Sequence, residues 1–268
     1  MANYVKFKRD KVDICNICLQ KKKLSWDHIP PKGGIELSEV EQWNVMQHMV
    51  GPTDTKYIPS QNGVKYRTLC QQCNNSLLGG KYDPVLNSFA EEIGQYLKSS
   101  LIIPEVIRFK TKPVMIVKAV LGHLLAAKGN LSFSNQDEAF REYMLNSEMT
   151  VPNGYKVFYW VYPYNNIKIM QDFSMMKVIG PESGNHGMFS MLKYFPIAYL
   201  VSDLNEYEGL DELTQYCTSS HDTEVEIPVR LSNLRGQKWP EINKDSMLLA
   251  GDDMGIFAKP KIKMLKKR

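Results

Sequence analysis

Four of the five cysteines in this 268-residue chain fall in two CxxC pairs, Cys15-Asn-Ile-Cys18 and Cys70-Gln-Gln-Cys73. A CxxC turn aims two thiolates at one point and frees backbone N–H groups to bond the sulfurs. Two such turns together supply the four soft ligands of a tetrahedral metal site, for which Zn²⁺ is the expected ion. The fold must therefore bring residue 15 beside residue 70 and accommodate the 51 residues between Cys18 and Cys70. A metal closed by four thiolates has no open coordination position, so the cysteines imply a structural staple. Any catalysis must come from the insert.

Paired CxxC motifs without an apolar leader segment read as a metal site in a reducing compartment rather than a disulfide framework. The longest apolar stretch, Val114 to Ala127, is interrupted by Lys118 and His123. It is shorter than the roughly 20 residues a bilayer span needs. A cytoplasmic protein with no membrane partner is expected. The charge is uneven. Residues 1–88 hold 12 Lys and Arg against 8 Asp and Glu, residues 89–258 hold 15 against 21, and the last ten add six cations and no acid. A basic front on an acidic body suits a phosphate-binding domain joined to a scaffold.

The texture of the chain divides it at about residue 88. In 1–88, residues 13–32 read as irregular, with a knuckle, the triplet Lys21, Lys22 and Lys23, then a short strand entering Asp27-His28. Ser38 and Glu41 resemble a capping box, and Val40, Trp43, Met46 and Val50 follow helical spacing, predicting a helix over about 38–49. Asn62-Gly63 predicts a hairpin turn feeding a strand, Val64–Leu69, that delivers Cys70. In 89–268, helices are expected over about 85–97 (begun by Pro84), 114–128 and 136–145. Strands are expected at 156–162, 167–172, 175–179, 189–193, 197–202 and 225–231, as an antiparallel meander. The fold class is thus α+β: a small metal-stapled domain at 1–88, then a larger α+β domain at 89–268 with an antiparallel sheet.

Within the insert, Asp27-His28 offers a carboxylate for a hard divalent cation and an imidazole able to deprotonate water near neutral pH. Neighbours on a regular strand point to opposite sides, so one shared site needs irregular backbone. Pro30-Pro31 and Gly33-Gly34 make that plausible. Taken as a set, Cys15-Asn-Ile-Cys18, Asp27-His28-Ile29-Pro30-Pro31-Lys32-Gly33-Gly34 and Leu69-Cys70-Gln-Gln-Cys73-Asn74-Asn75 resemble the HNH endonuclease family, over roughly residues 13–85.

That resemblance implies a ββα-metal fold with an accessory zinc knuckle. It makes His28 the general base, with Asp27 and Asn74 holding one catalytic ion, Mg²⁺ or Mn²⁺. It further implies phosphodiester hydrolysis leaving 5′-phosphate and 3′-hydroxyl ends. The chain departs from the family at Asn74, where many members have His, and at Lys65, where the family's middle Asn is usual; Asn62 is the nearest candidate for that role. Asn75 and Asp83 could sit beside the ion or cap the following helix.

Lys32, Arg67 and the Lys21–Lys23 triplet are the expected phosphate contacts. Asn44 and His48, spaced i,i+4, read as the polar side of the predicted helix. His123 is expected at solvent or in a local polar contact, Cys217 as a small buried hydrophobe, and Phe158-Tyr159-Trp160 as sheet core. His186 and His221 fall in predicted loops. The reading is a metal-dependent endonuclease on DNA, with RNA as a further substrate class, suited to host (antiviral) defence or a mobile element. Residues 89–268 would control cutting through a partner, a ligand or self-association. The rival is an inactive zinc-stapled nucleic-acid-binding or adaptor protein, which has no chemical need for Asp27-His28.

Overall fold

The computed structural model describes residues 6–33, 38–50, 56–100, 102, 104–178, 183–204, 207, 209–217, 222–232, 234–241, 246–250 and 255–261. Gly34, Gly51-Pro52, Ile179, His221 and the end of the basic tail lie outside them. Strands β1 (Val12–Ile14), β2 (Lys21–His28), β3 (Val40–Asn44), β4 (Ile58–Ser60) and β5 (Lys65–Cys70) come first, with a short helix α1 (Val45–Val50) after β3. A π-helix, Gln72–Tyr82, then runs into α2 (Asp83–Lys98). β6 (Val106–Thr111), α3 (Pro113–Ala126) and α4 (Asn135–Leu145) follow. The rest is mainly strand: β7 (Lys156–Val161), β8 (Ile167–Lys177), β9 (His186–Tyr194), β10 (Ile197–Ser202), β11 (Asp211–Glu212), β12 (Val225–Arg230), β13 (Ser246–Ala250) and β14 (Ile256–Pro260).

These strands form three antiparallel sheets. β1-β2-β5 carries the cysteine pairs, β12-β6 is a separate ribbon, and the large sheet runs β11-β7-β10-β9-β8-β14-β3-β4, with β13 added to β8. The fold is α+β. β3 and β4, which lie between the two cysteine pairs in sequence, hydrogen-bond into the large sheet, β3 directly against β14. No helix among the described residues is long and apolar enough to cross a membrane.

Helix α3 is buried at all fourteen positions, as befits a helix apolar on every side. It packs against the π-helix, α2, α4, β5 and β9. The last carbonyls of a helix need partners from outside it, and at the C-terminal end of α3 three side chains provide them. Gln171 Nε2 donates to Leu124 O, Asn16 Nδ2 to both Leu125 O and Lys128 O (2.8 Å each), and Thr68 Oγ1 to Ala126 O. Those donors come from β8, the first knuckle and β5, so one helix end joins the small sheet to the large one.

Several expectations are corrected. Residues 40–44 form a strand where a helix over 38–49 is predicted, because Val40, Gln42 and Asn44 are buried while Glu41 and Trp43 are half-buried, a period of two. Asn44 ends that strand and caps α1, its Oδ1 accepting from Met46 N and Gln47 N. It therefore does not share a helix face with His48, which stacks on Phe257 at 3.7 Å. Asn62-Gly63 is not a hairpin turn, since β4 pairs with β3 and β5 with β2; it passes the chain between sheets, with Gly63 at φ +67°. Residues 21–28 are one eight-residue strand, lysine triplet included, rather than mostly irregular. The two strands expected at 167–172 and 175–179 are a single strand bent at Asp172, whose φ is +52°. The strand expected at 225–231 pairs with β6, outside the meander. His186 lies in β9 rather than a loop. Phe158, Tyr159 and Trp160 are core, as expected.

The large sheet buries Lys168 and Lys193 around one carboxylate, Glu241. Lys193 Nζ lies 2.9 Å from both Glu241 oxygens and also donates to Gln237 O and Trp239 O, while Lys168 Nζ contacts Oε1. One carboxylate neutralises one ammonium, and burial brings Lys193 down to about 7. Glu241→Gln should destabilise the protein by about 3–5 kcal/mol, because it strands buried charge. Urea denaturation of the variant beside wild type would measure this.

Candidate metal centre and catalytic site

Cys15 follows β1 directly, and Cys70 closes β5 where the π-helix begins, so pairing of β1 and β5 with β2 brings the two CxxC turns together. Their four sulfurs all lie within 4.8 Å of one another. The first knuckle is closed by Leu19 N–H donating to Cys15 O, with Leu19 at φ +56°. Cys15 Sγ accepts from Cys70 N–H at 3.3 Å. The neighbouring Cys73 thiol, outweighing burial and helped by backbone N–H groups of Cys70, Cys18 and Ile17, holds Cys15 down at about 5; Cys73 is pushed up in exchange. Four crowded sulfurs, with Cys15 held as thiolate, form a cluster able to hold a metal ion.

Asp27 and His28 end β2, opposite Tyr66 and Lys65 of β5, and a bulge between Ser25 and Asp27 interrupts the register. Asn74, buried on the first turns of the π-helix, braces that irregularity: its Nδ2 donates to Ser25 Oγ at 3.0 Å and to Trp26 O at 2.8 Å. The amide oxygen of Asn74 takes no part in those two bonds.

The Asp27 side chain points into the protein, where Oδ2 lies 3.3 Å from His123 Nδ1. His123 is fully buried on α3, and its Nε2 is hydrogen-bonded to Asp83 Oδ1 at 2.9 Å. Of the two settings expected for His123, solvent is ruled out, and its polar contacts come from other elements rather than from nearby residues. His123 also gives Asp83, at the start of α2, a partner in the protein interior. Burial raises Asp27 despite the opposing pull of His123. Burial works against charge on His123, but Asp83 and Asp27 outweigh it and lift the imidazole to about 10.

His28 is half-buried. Its ring is hydrogen-bonded to the Asn62 backbone, while its Nε2 is buried without a hydrogen-bond partner. Burial lowers His28, against the pull of Asp27; Lys65 and Lys32 lower it further. Asn62 thus holds the imidazole through its backbone rather than its side chain.

The predicted phosphate contacts separate into distinct groups. Lys21 to Lys23 pair with β1, and at about 3.3 Å per residue the triplet begins roughly 20 Å from Asp27. Lys22 Nζ donates to Gln72 Oε1. Arg67 is turned to the backbone, its Nη2 donating to Arg9 O at 2.6 Å, and its guanidinium lies over the Trp26 ring. Exposed Lys32 and half-buried Lys65 are the cations beside His28. Lys65 was absent from the expected phosphate contacts; its place opposite His28 follows only from the β2–β5 register. A cleft of about 870 Å³ is lined by Gly33 and Gly63 from the loops flanking His28, by Gly94 of α2, and by Tyr194, Phe195 and Pro196 beside the large sheet.

No protein-family model, curated protein or solved structure matches the chain. Cys70→Ser should remove the knuckle metal and lower the melting temperature, since metal binding at such clusters is coupled to folding. Elemental analysis and thermal unfolding of wild type and variant would check both; an unchanged melting curve would contradict the staple.

Proposed function

We propose that this chain is a metal-dependent endonuclease of the HNH type that hydrolyses phosphodiester bonds of DNA, with zinc in the cysteine cluster. The observation that carries the reading is His28: one ring nitrogen held by the Asn62 backbone, the other buried and unpartnered, beside Asp27 and two lysines. A base needs that arrangement, and an adaptor surface does not.

Zinc suits the cluster because a tetrahedron with Zn–S of about 2.3 Å has S···S edges of about 3.8 Å, the separation of Cys18 Sγ and Cys70 Sγ. The β2–β5 pair followed by the π-helix and α2 is the strand–strand–helix order the HNH resemblance implies. In the proposed reaction, His28 Nε2 takes the proton of the attacking water, and the hydrogen bond to Asn62 keeps that nitrogen's lone pair facing the reaction. Lys32 and Lys65 bind the phosphates flanking the scissile bond. A divalent ion held at Asp27, with Asn74 beside it, would stabilise the charge on the phosphate and on the leaving 3′ oxygen. The products carry 5′-phosphate and 3′-hydroxyl ends. The cleft gives the large sheet a wall near the site, which supports a role for 89–268 in admitting substrate or responding to a partner. Host defence or a mobile element is a setting that such control suits.

Purified protein should nick or linearise supercoiled plasmid when Mn²⁺ or Mg²⁺ is added, and His28→Ala should reduce the rate at least about 100-fold with fold and zinc content retained. Equal cutting by variant and wild type would reject His28 as the base. Because His28 is lowered by its surroundings, the base stays neutral at pH 7. The acid limb of the rate profile should therefore fall below the ordinary histidine value of about 6.5. A pH–rate series under single-turnover conditions reads that limb directly.

A further inference from the structure

The site contains a second imidazole outside the stretch that resembles the HNH motif. His123 comes from α3, 49 positions beyond Asn74, yet its Nδ1 lies 3.3 Å from Asp27 Oδ2. The two sides of this ring differ. Nε2 makes a normal 2.9 Å hydrogen bond to Asp83 Oδ1. Nδ1 and Asp27 Oδ2 face each other as a buried ion pair at the longer separation of 3.3 Å, and neither atom has another partner.

Two ligands of one ion at about 2.1 Å sit about 3.0 Å apart at an octahedral right angle and about 3.4 Å apart at a tetrahedral angle. The Asp27–His123 separation lies between those values. A carboxylate on the far nitrogen of a metal-binding histidine is the usual way such a ring is oriented and its lone pair directed. Asp83 stands in that position.

We propose that His123 Nδ1 and Asp27 Oδ2 are joint ligands of the catalytic divalent ion, with Asp83 as the positioning residue for His123; this rests on the nuclease reading. The imidazole missing after the second knuckle, where Asn74 stands, is supplied from another helix. A nitrogen ligand beside a carboxylate favours Mn²⁺ over Mg²⁺, which prefers all-oxygen surroundings. The ion displaces the Nδ1 proton to solvent and takes the position between the two side chains that they otherwise fill as an ion pair, and α3 becomes part of the active site.

The test uses the full chain with zinc loaded and Mn²⁺ as the only added ion. Pulsed EPR of bound Mn²⁺ should show coupling to a directly coordinated imidazole nitrogen, retained in His28→Ala and lost in His123→Gln. Mn²⁺ affinity should fall about 10- to 100-fold in His123→Gln and about tenfold in Asp83→Asn, and Asp27→Asn should lose the ion. Absence of nitrogen coupling in wild type, no Mn²⁺ bound at all, or undiminished affinity in His123→Gln would overturn the assignment. If His123→Gln does not fold, Asp83→Asn and the wild-type spectrum decide. The two readings fail separately. Cutting that depends on His28 with no nitrogen on Mn²⁺ rejects only the His123 ligand. A nitrogen-bound ion in a protein that leaves DNA and RNA intact rejects only the nuclease.

Discussion

Complete burial of α3 is the constraint on which the rest depends. A helix with no face toward water must find protein partners for every polar group it carries, and α3 carries two ionisable side chains. Lys118 donates to Asn146 O and lies over the Tyr143 ring. His123 lies between Asp27 of β2 and Asp83 of α2. With the side chains that satisfy its last carbonyls, these contacts make α3 the common partner of the knuckle, the π-helix and the large sheet. The candidate site is therefore assembled around a core helix rather than laid on the surface of a small independent module.

What could be read from the sequence follows from the range of the interactions involved. The cysteine pairs were legible because two short turns of fixed chemistry have few other uses, and their sulfurs do converge. The helices at 83–98, 113–126 and 135–145 were legible from their helical spacing and, for the first, from Pro84; the structure adds Pro113 at the start of the second and Ser134 capping the third through Asp137 N. The segment 40–44 misled because its apolar residues also satisfy a helical period, and only pairing with β14, more than 200 residues away, makes it a strand. His123 was missed for the same reason: nothing nearby in sequence shows that two carboxylates from other elements will surround it. The π-helix, in which Asp83 N–H reaches Leu78 O five residues back, has no strong sequence marker.

Electrostatic signals divided along similar lines. The lysine triplet was the most conspicuous basic feature of the front segment, but strand geometry takes it to the end of β2 away from His28. The cations that act on the imidazole are Lys32 and Lys65, isolated in sequence and brought together by a loop and a strand register. Arg67 is committed to holding the N-terminal segment through Arg9 O. Charge density in the sequence thus drew attention to the triplet, whereas strand register places Lys65, with Lys32, beside His28.

The passage from β4 to β5 has a mechanical consequence. The residue that holds His28, Asn62, sits in a turn anchored on one side by a strand of the large sheet and on the other by a strand of the small one. Ser60 Oγ and Ser38 O pin that turn at Gly63. The imidazole therefore takes its setting from both sheets, from β2 directly and from β4 through Asn62. Reacting groups lose about 10²-fold in rate for a misplacement near 1 Å, so in the proposed reaction a slight change in how the sheets meet would slow proton transfer to His28.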